Sequence, residues 1–124
     1  MLVSIDTNKP IRAIPHRREF DGWMRKLLAS PDGAVKLAAI EDELERRIDS
    51  DEIHTSSWMP GNDWSGTVFD PIYQDACGHN VEVSGLFFGL LVWKAFMDHP
   101  DHWAFGRYEV NNIPIRGLTY FRVR

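Results

Sequence analysis

The chain has 124 residues, 44% hydrophobic and 26% charged, with a net charge of −4. That length suits one domain able to bury about two-thirds of the surface its unfolded chain would expose, and the composition excludes a disordered polymer. The negative balance argues against a protein whose main task is gripping a phosphate backbone, and the longest apolar stretch falls well short of the roughly 20 residues of a membrane span.

Leu2 to Ile5 reads as a short strand ended by the turn residues of Asp6 to Pro10. Phe20, Trp23, Met24, Leu27 and Leu28 then recur at spacings of three and four, which predicts a helix over about Arg17 to Ala29. Ser30-Pro31-Asp32 reads as the start of a second helix, with Ser30 as cap, Pro31 in the first helical position and Asp32 complementing the positive end. Its buried stripe is Leu37, Ile40, Leu44 and Ile48, and Glu41, Asp42, Glu45 and Arg46 fall on a solvated face. Ser50 to Gly66 is a loop by composition, yet it carries Trp58, Met59 and Trp64, and long loops in compact domains are often functional.

Asp70-Pro71 starts a short helix through about Cys77, closed by Gly78 in the left-handed region. Asn80 caps the next helix, about 81 to 98, with Glu82 in its first turn. From Leu86 to Met97 only Gly89 and Lys94 interrupt the apolar run, so this helix is expected to be buried on every side with the other elements around it. Gly85 and Gly89 are expected to let a neighbouring backbone come close. His99-Pro100 ends the helix, and Asp101 to Ala104 reads as a turn or one helical loop. Arg107 to Val110 and Ile113 to Arg116 form a hairpin around Asn111-Asn112, with Pro114 on an edge, and Leu118 to Val123 is a third strand. The expected fold class is α+β: a single domain, 1 to 124, of about four helices around the buried central helix. A small antiparallel sheet comes from the C-terminal hairpin, with the N-terminal strand as a candidate further member.

Lone Cys77 allows no intramolecular disulfide, and the opening MLVSIDTNKP has no charged leader before an apolar core, so a cytoplasmic location is expected. Five Trp are a large supply of rigid apolar area for so short a chain. The loop folded over the central helix would wall a cleft with aromatic rings, giving Trp58, Trp64, Asp70, Tyr73, Trp93, His102 and Trp103 as ligand-binding residues. Filling the core is the other use for the same rings. The expected function is a small binding or interaction module without a cofactor. It would take a small-molecule or protein partner and form a homodimer that buries the surplus aromatic surface.

A second expectation is a metal-dependent hydrolase. Asp98-His99-Pro100-Asp101-His102 places two imidazoles and two carboxylates together, with His99 and His102 as ligands. Pro100 breaks the spacing that puts both histidines of HExxH on one helical face, and a helix C-terminus favours a histidine without any metal. Cys77 reads as a structural thiol, since no nucleophile elbow or Cys-His signature accompanies it. The weakest expectation is nucleic-acid binding where the basic residues of the two termini meet, Arg12, Arg17, Arg18, Arg25 and Lys26 with Arg107, Arg116, Arg122 and Arg124.

Overall fold

The computed structural model describes residues 1–4, 7, 9–50, 53–55, 64–106, 109–110, 113–114 and 118–123. The elements in chain order are α1 (Arg17–Ala29), α2 (Gly33–Asp49), β1 (Ile53–Thr55), a π-helical segment (Ile72–Ala76) and α3 (Val81–Asp98), followed by β2 (Trp103–Gly106), β3 (Glu109–Val110), β4 (Ile113–Pro114) and β5 (Thr119–Arg122). The class is α+β, as the sequence predicts. No helix among the described residues is long and apolar enough to cross a membrane.

The sheet has the order β1-β5-β2, antiparallel throughout, with Phe121 of β5 opposite Ile53 on one side and Ala104 on the other. β3 and β4 pair separately as the predicted hairpin, Val110 against Ile113 and Glu109 against Pro114. A two-stranded ladder has only edges, which is where proline is tolerated. Two strands differ from expectation. β2 occupies a stretch read as a turn or helical loop, and β1 lies inside the predicted long loop. Neither segment has a strong period of its own; pairing with β5 makes them strands. The N-terminal strand is reduced to two isolated bridges, Leu2 with Trp103 in parallel and Val3 with Pro10 in antiparallel. Beside the second bridge the Ser4 amide donates to the Lys9 carbonyl at 3.0 Å, and Ile5 lies outside the described residues.

α1 spans the predicted residues, and its junction with α2 is tighter than expected. Ser30 does not cap α2. It closes α1, its amide and its hydroxyl both donating to the Leu27 carbonyl, at 3.1 and 2.5 Å. Asp32, left-handed at φ 57°, directly precedes α2. Gly33 sits so close to the end of α1 that a Cβ there would lie 2.4 Å from the Leu27 carbonyl oxygen. Gly89, by contrast, has nothing within 4 Å of such an atom, so the expected close backbone approach is absent there.

Gly78 is left-handed as predicted. The Asn80 side chain accepts from the Val83 amide at 3.0 Å and so caps α3. α3 joins the helices to the sheet through its aromatic residues. Phe87 meets Phe20 and Trp23 of α1, each at 5.7 Å between ring centroids, and Phe88 meets Phe69 edge-on at 4.9 Å. Phe96 stacks on Tyr120 of β5 at 4.0 Å. The helix is not sealed on every side, however. Leu86 is 59% exposed, and Val83, Gly89, Leu90 and Lys94 are only partly buried. Neighbouring elements cover two flanks of the helix and leave a third towards solvent, so its uniform apolarity overstates its burial.

Candidate functional site

The predicted aromatic residues do not converge. Trp58 lies outside the described residues. Trp64, Trp93 and Trp103 are buried in the core. Trp64 packs edge-on against Phe88 at 6.0 Å, whereas Trp93 packs on Phe105 at 4.7 Å and donates its indole N–H to the Ala13 carbonyl at 3.1 Å. Residues 88 and 93 are five apart on α3, about 140° around its axis, so the flank that Trp64 covers is not the flank from which Trp93 projects. Tyr73 is half-buried and stacks on His79, 5.1 Å away. His102 is exposed, and its carbonyl accepts from the Val123 amide. Asp70 is half-buried, with Oδ1 fully buried and without a hydrogen-bond partner among the described residues; the Trp64 indole N–H shares that condition.

The Asp98 to His102 cluster is parcelled out among separate tasks. Asp98 accepts from the Lys94 ammonium at 2.5 Å, one turn back on α3. His99 is buried, its Nε2 2.7 Å from Asp49 Oδ1 at the end of α2. Its Nδ1 accepts from the Asp101 amide at 3.1 Å and from the Trp103 indole N–H at 3.3 Å. Two donors facing Nδ1 assign the ring proton to Nε2, which therefore donates to Asp49. Both ring nitrogens are thus occupied, and His99 ties the exit of α3 to α2 and β2. Asp101 accepts from the Arg122 guanidinium, which also lies over the Trp103 ring, 4.7 Å from its centroid. His99 and His102 are not presented together, and among the described residues no three His, Cys, Asp or Glu side chains are grouped to hold a metal ion.

Cys77 is buried, and burial pushes its thiol up to about 11, only partly offset by the Ser84 hydroxyl and the Lys26 charge. At neutral pH it stays protonated and is a poor nucleophile.

A concavity of about 120 Å³ opens where α2 meets the last two turns of α3. Leu44 and Leu91, both buried, form its floor, with Met24 of α1 and Ala95 beside them. Glu41 and Glu45 stand along the α2 rim, Lys94 and Asp98 along the α3 rim, and His99 with Pro100 closes one end. The Asp49–His99 bond fixes that end. Glu41 and Glu45 lie one helical turn apart, and neither forms an ion pair with another described residue. Sequence reasoning missed this site because the two glutamates read simply as a solvated face. The only local signal was their i, i+4 spacing beside Leu44; the groove needs α3 to end opposite them.

No known protein family, curated protein or solved structure matches the chain.

Proposed function

We propose that this chain is a small cytoplasmic interaction module whose groove between α2 and α3 takes one aliphatic side chain from a segment of a partner protein. The observation that carries this reading is the size of the groove together with its buried apolar floor. A volume of about 120 Å³ is well below the ~300–1,000 Å³ of pockets that take cofactors and drug-sized ligands. One long side chain fits, and a nucleotide does not. Half-buried Met24 and Ala95 offer apolar contact at the groove surface, and Leu44 and Leu91 beneath them already pack in the core.

The test uses acetylated, amidated pentapeptides with Gly, Leu, Met or Lys at the centre, followed by methyl NMR. A single anchor of about five heavy atoms is expected to bind with a Kd in about the millimolar range. A long central side chain should shift the Leu44, Leu91 and Ala95 methyls, and the glycine peptide should not. Ala95→Met, which fills the groove from its own wall, should abolish the shifts. Absence of shifts with every peptide, or shifts elsewhere on the surface, overturns the proposal.

Self-association is a second reading, favoured by the outward face of α3. Exposed Leu86 lies between the half-buried Val83 and Leu90, three residues back and four ahead, on one stripe. Sedimentation equilibrium at micromolar concentration should give a dimer that Leu86→Glu converts to monomer. A strict monomer of the unaltered chain removes this reading.

A further inference from the structure

We infer that the side chain taken by the groove is a lysine, presented by a basic segment of the partner protein. This rests on the groove reading above and adds the chemistry of its occupant. Three carboxylates and one ammonium line the groove. The ammonium, Lys94, is already matched by Asp98 at 2.5 Å. Glu41 and Glu45 remain on the opposite rim, exposed and without an ion pair to any other described residue. The end of α3 adds no net negative charge, because the Met1 ammonium donates to the His99 and Asp101 carbonyls there, so the two rim glutamates carry the charge argument.

An apolar floor beneath a negative rim suits a side chain with an aliphatic stem and a cationic tip. Lysine has this form: its four-carbon stem would lie against Met24 and Ala95, over the buried Leu44 and Leu91, while its ammonium stays at the mouth beside Glu41 and Glu45. A neutral side chain of equal length would gain only the floor, and a carboxylate would meet three others.

The experiment compares pentapeptides centred on Lys, norleucine and Glu, with n-butylamine as a free amine, by the same methyl NMR titration. The lysine peptide is expected to bind about two- to fivefold tighter than the norleucine peptide at low salt, the gain typical of exposed charge pairs. That advantage should vanish in 1 M salt, where the screening length is about 3 Å. Glu41→Gln combined with Glu45→Gln should bring the lysine peptide down to the norleucine level. Equal binding of lysine and norleucine peptides, or a lysine advantage that survives the double substitution, overturns the charge assignment and leaves the groove reading standing. A glutamate peptide that matches lysine overturns it as well. If butylamine matches the lysine peptide, the occupant is a free amine and the protein-segment assignment fails. If no probe shifts the groove methyls, the groove reading itself fails.

Discussion

Phe96→Ala is expected to destabilise the fold by about 3–5 kcal/mol. The ring is fully buried. It lies stacked on Tyr120, 4.0 Å between centroids with 10° between planes, and edge-on to Trp103 at 5.0 Å. One side chain of α3 therefore touches both β5 and β2. Alanine there loses the transfer free energy of the ring and leaves a cavity between a helix and a sheet that cannot close independently, since His99 and its bonds to Asp49 and Trp103 hold the end of α3 in place. Tyr120 would be affected too, because burial already pushes its phenol up from its usual range. Domains are stable by about 5–15 kcal/mol, so much of the total is at stake. Urea denaturation checks the size of the loss, and Phe96→Leu, which retains most of the volume, should cost less than about 1.5 kcal/mol. A loss below about 1 kcal/mol for the alanine variant would mean that α3 does not meet the sheet through this ring.

That contact illustrates what the sequence reveals and what it leaves open. The apolar run of Leu86 to Met97 announces a helix, and Asn80, Gly78 and the His99-Pro100 stop give its boundaries, because caps and breakers act within a few residues. The direction in which each aromatic side chain points depends on which element arrives on which flank. Trp64 and Trp93 both read as candidates for one cleft, yet Trp64 packs on α3 at Phe88 while Trp93 projects from another flank of the same helix onto Phe105. β5 was legible because Leu118 to Val123 has strand character of its own. β1 and β2, three and four residues long, take theirs from β5. The groove was least legible of all. Glu41 and Glu45 belong to a solvent-facing row in any reading of α2 alone, and only the position of Asp98 and Pro100 makes that row a rim. Ser30 failed for a related reason: a Ser-Pro-Asp triplet can start a helix, but the same hydroxyl can close the preceding one, and the short junction lets α1 claim it.

The same junction gives the second large effect, and it comes with an internal control. Gly33→Ala should destabilise the fold by about 1–3 kcal/mol, the range for forcing atoms into a packed site. The new Cβ would sit 2.4 Å from the Leu27 carbonyl oxygen, 2.6 Å from that of Leu28 and 2.7 Å from the Leu28 carbonyl carbon. All three are backbone atoms, so no side-chain rotation relieves the clash, and the end of α1 must move. The Leu27 oxygen is further held by two donors from Ser30. Moving it would disturb Leu27, fully buried, and the Phe20–Phe87 contact one helix away. Working against this is the better helix propensity of alanine, worth up to about 1 kcal/mol. Gly22→Ala isolates that opposing gain. Gly22 lies inside α1 with nothing within 4 Å of a Cβ, so alanine there should stabilise by about 0.5–1 kcal/mol. Two identical substitutions eleven residues apart in the chain should therefore shift the melting temperature in opposite directions. If both raise it, the two helices do not meet as closely as Gly33 requires, and α2 is not held where its glutamates face the end of α3.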